Sequence, residues 1–210
     1  MNIGIIGSGN MGSGLGRLWA DKGHKVMFSY SRDPEKLKTL AKSCPNASAG
    51  TPQEAVESSD IVLFSVRWAN MEDAVRAAGR MQGKVVIDCT NPLRPDLSGL
   101  AIGLTTSAAE EIAKLVPEAN VVKAFNTVFA EVYHSDSRLF GSRRPTMLYC
   151  GDDSDANAAV AKLINSTGFT PIDSGPLKCA RYLEPLAMLM IQLGIGQGMG
   201  TNIAMNLIHR

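Results

Sequence analysis

The chain has 210 residues, 45% of them hydrophobic, and 21 basic against 20 acidic side chains give a formal net charge of +1. That balance excludes binding to nucleic acid or an anionic membrane surface by charge alone, and the length predicts one or two domains with a substantial core. Cys44, Cys89, Cys150 and Cys179 are spread singly, with neither C-x-x-C spacing nor a histidine partner, which predicts reduced thiols in a cytoplasmic protein and no metal site.

Asn2-Ile3-Gly4-Ile5-Ile6 predicts a strand rather than a signal peptide, and it runs straight into Gly7-Ser8-Gly9-Asn10-Met11-Gly12. Beyond the glycines, Met11, Leu15, Leu18 and Trp19 recur at helical spacing and share one face. Strand, glycine turn and helix in that order are the context that makes G-x-G-x-x-G a dinucleotide-binding turn. The first glycine permits the tight turn, the second lets backbone approach a pyrophosphate, and the third lets helix and strand pack closely. The unpaired N–H groups at the helix start then favour the phosphates. Without a ligand the same residues are only a glycine-rich strand–helix turn.

The next junction selects the cofactor. Asp21-Lys22-Gly23-His24 stops the first helix, with Gly23 as its cap and His24 as a turn residue. A second strand, Lys25 to Tyr30, leads into Ser31-Arg32-Asp33-Pro34-Glu35-Lys36. An NAD site places an acidic residue here for the ribose 2′-hydroxyl, whereas a nearby Arg accommodates a 2′-phosphate. Asp33 is explained as a helix cap with Pro34 in the first position. The hydroxyl of Ser31, the guanidinium of Arg32 and the ammonium of Lys36 suit a phosphate, which predicts NADP(H).

Thr51 to Glu54 has capping-box spacing. Ile61 to Val66 is continuously apolar, as a strand covered on both faces should be, and it ends in Arg67-Trp68-Ala69-Asn70. A helix ending near Gly79 and a strand from Lys84 to Asp88 follow, then the turn Cys89-Thr90-Asn91-Pro92. Ligands of open α/β sheets lie beyond the carboxyl ends of strands, so Val66, Arg67, Trp68, Asn91 and Pro92 are candidates for the nicotinamide end. Ser107 to Glu110 repeats the capping-box spacing, before a helix expected to turn Ile112, Leu115 and Val116 inward. Val121 to Thr127 reads as a sixth strand, with Asn126 and Thr127 at the same edge and Lys123 at the sheet margin. After a polar loop (134–145), strands at Thr146 to Cys150 and Phe169 to Asp173 flank a helix, and a Met- and Gly-rich helical tail ends the chain. Within it Leu186 to Ile195 is too short to cross a bilayer and reads as a buried helix. Its glycines suggest close helix approach, as at a subunit interface.

These residues resemble the NADPH-dependent coenzyme F-420 reductases, the 8-hydroxy-5-deazaflavin:NADPH oxidoreductases, over almost the full chain. The resemblance rests on the glycine turn, Ser31-Arg32, Val66 to Trp68, Thr90-Asn91-Pro92, Lys123 to Thr127, and the late Gly175-Pro176-Leu177 and Ala180-Arg181-Tyr182-Leu183-Glu184 block. It implies Ser8, Gly9, Asn10 and Met11 on the pyrophosphate and Ser31, Arg32 and Lys36 on the 2′-phosphate. Val66, Asn91, Ala124 and Asn126 would fall near the nicotinamide. It implies direct hydride transfer between stacked rings without an obligatory protein acid or base, so no catalytic residue is expected. Arg67 replaces a proline common in the family. A more distant resemblance is to the reductase domain of the STEAP ferric reductases, which feeds a flavin.

The expected fold is α/β, a Rossmann-type doubly wound, mostly parallel sheet over residues 1–175 with a short C-terminal helical segment, 176–210. The expected activity is hydride transfer between NADPH and a deazaflavin or flavin acceptor by a homodimer that binds neither nucleic acid nor membrane. A short β-hydroxyacid or imine dehydrogenase and a non-catalytic NADP(H)-sensing module are the alternatives.

Overall fold

The computed structural model describes residues 1–210. Its strands are β1 (Asn2–Ile6), β2 (Lys25–Ser29), β3 (Ala47–Ala49), β4 (Ile61–Phe64), β5 (Val85–Asp88), β6 (Asn120–Lys123), β7 (Thr146–Gly151) and β8 (Thr170–Asp173). They form one sheet in the order β3-β2-β1-β4-β5-β6-β7-β8. β1 to β6 pair in parallel, β7 is antiparallel to β6, and β8 is parallel to β7.

The apolar run of β4 is buried throughout because helices cover both faces of the sheet. Ile61 and Leu63 enter one core layer, Val62 and Phe64 the other, as the two-residue period of a strand requires. One layer is closed by α1 (Asn10–Asp21), α2 (Pro34–Lys42), α6 (Ala130–His134) and α7 (Ser154–Ser166), through side chains such as Trp19, Leu37, Tyr133 and Leu163. The other is closed by α3 (Pro52–Glu57), α4 (Met71–Ala78), α5 (Ala108–Leu115) and α8 (Ala180–Ile191), through Val56, Ala74, Ile112 and Leu183. Strand order reverses between β1 and β4, and the crevice outside their carboxyl ends is where a doubly wound sheet takes its ligand.

Local chemistry starts the helices where the sequence places them. The Asp33 carboxylate accepts from the N–H groups of Glu35 and Lys36 at 3.0 and 3.1 Å. Thr51 and Glu54 close a full capping box. At α5 only half of that expectation holds: Ser107 Oγ accepts from the N–H of Glu110, but the Glu110 carboxylate bonds the Ser107 hydroxyl instead of its backbone. Glu184, from α8, takes the N–H groups of Ala108 and Ala109.

Several expectations are corrected. Leu115 is exposed, because α5 ends with it and only Ile112 and Val116 reach the core. The C-terminal helix stops at Ile191, passes through a π-turn (Gln192–Gly196), and residues 201–210 carry no helix. Leu186 to Ile195 is not a buried helix, since Leu189 and Ile195 are exposed. Gly194 does allow a close approach, but within the chain: a Cβ there would stand 2.8 Å from the Phe129 ring. Lys123 is not marginal. It lies on an interior strand and its side chain has no exposed surface. No helix is long and apolar enough to cross a membrane.

Candidate active site

The turn after β1 is shaped by three glycines for different reasons. Gly7 adopts φ +105°, and a Cβ there would come within 2.8 Å of the Ser65 carbonyl oxygen and Val66 Cγ1. A Cβ on Gly12 would collide with the Gly7 carbonyl oxygen, so this position sets how closely α1 packs on the turn. Gly9, the N-cap of α1, has an extended conformation open to any residue, and a Cβ there would meet nothing within 4 Å. The protein's own packing therefore requires two of the glycines, and it leaves open space beside the third. No side chain caps α1, which leaves its first N–H groups facing that open space. Ser8 anchors the turn by donating its hydroxyl to the Ser29 carbonyl at 3.0 Å. Asn10 and Met11 open the helix.

β2 ends at Ser29, and Tyr30 follows with φ +56°, a left-handed conformation that costs a side-chain-bearing residue roughly 1–2 kcal/mol. This bend directs Ser31 and Arg32 out of the sheet beside α2. The Ser31 hydroxyl donates to the Asp33 carbonyl (3.0 Å) and accepts from the Asp33 N–H (3.1 Å), so it is committed to the turn. Arg32 and Lys36 are exposed, and neither takes part in an ion pair. Two unpaired cations beside a helix start suit a doubly charged phosphate. Asp33 is occupied as the cap.

At the end of β4, Val66 is half-buried and Arg67 exposed before the 3-10 turn Trp68–Asn70. The ends of β5 and β6 are joined by an amide pair. Asn91 Nδ2 donates to the Asn126 carbonyl and Asn126 Nδ2 donates to Asn91 Oδ1, both at 3.0 Å. Asn126 Nδ2 also donates to the Leu183 carbonyl of α8 at 3.0 Å. Between Ala124 and Asn126, Phe125 adopts φ +65° although it is aromatic and buried. Its ring meets Trp19 edge-on at 5.6 Å and Tyr133 at 6.3 Å, and the Tyr133 hydroxyl donates to its carbonyl at 3.2 Å. The surrounding packing thus holds a strained turn that carries Asn126 to the carboxyl edge. Ala124 and Thr127 are buried beside it.

Beneath this edge lies an ionic cluster that sequence reasoning did not find. Lys123 Nζ donates to Asp88 Oδ2 and to Glu184 Oε1, each at 2.8 Å, and to the Thr90 carbonyl. Asp88 Oδ1 accepts from the N–H and hydroxyl of Thr90 at 2.8 and 2.7 Å. Burial works against the Lys123 charge, but the two carboxylates outweigh it and hold the ammonium above its usual pKa. Burial and the neighbouring Asp88 push Glu184 upward, opposed by Lys123. Outside the cluster, Arg181 grips Glu110 through two bonds, at 2.7 and 2.8 Å, and holds that carboxyl below its usual range. Pairings of residues 33 to 71 positions apart leave no periodic signal in a sequence. The nearest hint is the block Ala180 to Glu184, whose charged members turn out to dock α8 onto α5 and β6. The thiol nearest the site, Cys89, is buried and donates to the Phe64 carbonyl, and burial pushes its pKa well up.

Residues 2–92 match the family described as NADP oxidoreductase, coenzyme F420-dependent. The F420-dependent NADP reductase of Methanothermobacter thermautotrophicus is 30% identical over 93% of this chain and 90% of its own length. The metalloreductase STEAP3 of Rattus norvegicus is also 30% identical, over 90% of this chain, but the chain spans only 37% of that relative. A crystal structure described provisionally as an F420-dependent NADP reductase of Arthrobacter superposes with a TM-score of 0.88 at 28% identity, covering 100% of both chains. A reductive aminase of Aspergillus terreus shares the fold alone, with a TM-score of 0.68 at 20% identity, and this chain covers 62% of it. An uncapped glycine turn at the switch point and near end-to-end similarity to the Methanothermobacter enzyme give one conclusion: the chain belongs to the F420-dependent NADP reductases, a family of NADP-dependent oxidoreductases.

Proposed function

We propose that this protein passes a hydride between NADPH and a deazaflavin of the coenzyme F-420 type, with a flavin as the alternative acceptor. The observation that carries the reading is the open cradle at Gly9, which the protein's own packing does not require and which a pyrophosphate would fill. In this reading Gly7 to Gly12 hold the pyrophosphate, Arg32 and Lys36 meet the 2′-phosphate, and Ser31 shapes the turn between them. Val66, Arg67, Asn91, Ala124 and Asn126 line the nicotinamide end.

The hydride chemistry belongs to the cofactor and acceptor, so the protein's contribution is orientation and exclusion of water. No titratable side chain is required at the reacting atoms. A β-hydroxyacid or imine reduction with Lys123 as the acid is disfavoured, because that ammonium is locked by two buried carboxylates. In the same reading residues 176–210 form a C-terminal segment packed on the dinucleotide-binding unit. The exposed apolar side chains Leu189, Ile195 and Met199 on it support a homodimer as the working assembly.

Anaerobic stopped-flow mixing of protein and NADPH with coenzyme F-420, FMN and FAD tests the activity. Bleaching of the deazaflavin's visible band, with one NADPH oxidised for each acceptor reduced, is the expected result. Failure to reduce any of the three overturns the proposal.

A further inference from the structure

Lys123 grips both turns at the carboxyl edge at once. It lies three residues before Asn126 on its own strand, and its ammonium reaches the carbonyl of Thr90, the residue before Asn91 on the next. Glu184, which holds the ammonium from the other side, follows Leu183, whose carbonyl accepts from Asn126. Three elements therefore converge on one charge, and each also carries a bond to the amide pair or a residue of it. We propose that Lys123, clamped between Asp88 and Glu184, is the positioning residue that fixes the Asn91–Asn126 amide pair for hydride transfer. The proposal rests on the reading of that edge as the nicotinamide end.

Stability alone does not account for the cluster. A buried ion pair is commonly matched or bettered by apolar side chains of the same volume, because desolvation offsets much of the attraction. What an ammonium adds is direction: three donors with fixed partners, two of them at the end of β5 and in the turn after it (Asp88 and Thr90) and one on α8 (Glu184). The amide pair depends on that direction. Asn126 Nδ2 makes both its bonds within the protein, while its Oδ1 is buried without a partner. An unpaired buried acceptor is unfavourable until a donor reaches it, and a flip of the side chain would only turn that oxygen onto Asn91 Oδ1 and the Leu183 carbonyl. Holding the Leu183 carbonyl and the Asn91 amide in place is what prevents that flip. The two carboxylates exceed the ammonium by one charge, and the N–H groups of Ala108 and Ala109 at the start of α5 compensate the difference at Glu184.

The test compares Glu184→Gln with Arg181→Gln. The first loosens the Lys123 clamp. The second removes the other anchor between α8 and α5, the Arg181–Glu110 pair, and leaves the clamp intact. For Glu184→Gln we expect kcat with coenzyme F-420 or FMN to fall about 10- to 100-fold, as for a misaligned reacting pair, with the NADPH Kd held by the distant phosphate contacts. Exchange of the Asn126 side-chain amide protons, followed by 1H–15N NMR, should quicken about tenfold as that bond opens locally. Arg181→Gln should change neither. Equal losses in both variants would reduce the cluster to helix docking, and no change in Glu184→Gln would also overturn the proposal. Should Glu184→Gln fail to fold, Glu184→Asp keeps the charge and withdraws the reach, and the same readouts apply. If the wild-type protein reduces neither acceptor, the reading of the activity fails separately and the amide exchange still decides the role of Lys123.

Discussion

A Cβ on Gly9 would touch no protein atom within 4 Å, whereas on Gly7 or Gly12 it would strike backbone. Gly9→Ala should therefore cost the fold no more than the loss of a glycine N-cap, about 0.5–1 kcal/mol, while losing NADPH affinity. Gly12→Ala should destabilise the fold itself, by about 1–3 kcal/mol. Calorimetric unfolding set beside NADPH titration separates the two. Arg32 has no ion-pair partner in the protein, so its removal leaves no buried charge behind and, under the proposed function, should act on the ligand alone. Losing a hydrogen bond to a charged phosphate costs about 1.5–3 kcal/mol, roughly 10- to 150-fold in affinity. Arg32→Ala should weaken NADPH by that factor and leave NADH nearly untouched; equal losses would contradict the assignment. The glycine turn, the end of β2 and the Asp33 cap were legible because each is a local signal. Lys123 was not, because a lysine inside a strand reads as exposed until Asp88 and Glu184, 35 and 61 residues away, are brought against it.

At the scale of elements, α8 is tied to α5 by one partly buried ion pair and to β6 by the buried cluster. The Arg181 hydrogen bonds hold Glu110 below the usual carboxylate pKa, so this pair stabilises the fold above about pH 4.3, the unfolded value. That contribution, about 1 kcal/mol for a partly exposed pair, is lost as pH falls through the lower folded value. A melting series from pH 7 to pH 3 (about these limits) should show wild type and Arg181→Gln converging at the acid end. A constant gap would place the pair's contribution elsewhere. The strands and most helices were readable from apolar periodicity and caps, since each of those signals spans only a few residues. Two of the misses share a cause. Leu115 and the run from Leu186 to Ile195 are apolar at helical spacing, yet helix ends and a π-turn rotate them away from the core. The half-formed box at Ser107 has the expected residues, but the Glu110 carboxylate is drawn to Arg181 of α8 and to the Ser107 hydroxyl instead of the Ser107 N–H.

Across the whole molecule, the sheet order β3-β2-β1-β4-β5-β6 brings five segments to one edge: the glycine turn, the Tyr30 bend, the end of β4 and the two asparagine turns. The antiparallel β7 and the docked α8 then brace the β6 side of that edge. The protonated Lys123 links β5, β6 and α8, and its pKa is raised in the folded state. Its stabilising effect is complete below about pH 10.4, the unfolded value, and disappears as pH rises through the higher folded value. Alkaline unfolding should accordingly begin above that point and carry the C-terminal helix with it, visible as loss of Tyr182 and Met190 NMR signals together with those of Asn126. Release of α8 at lower pH, with Asn126 unaffected, would contradict that coupling.

The proposed use of the whole edge requires a dinucleotide whose adenosine ribose carries a phosphate. Paired calorimetric titrations of the wild-type protein with NADP⁺ and NAD⁺ measure this most directly. NADP⁺ should bind more tightly by at least about tenfold, the equivalent of 1.4 kcal/mol, with the advantage shrinking as salt screens Arg32 and Lys36. Equal affinities for the two, insensitive to salt, would contradict it.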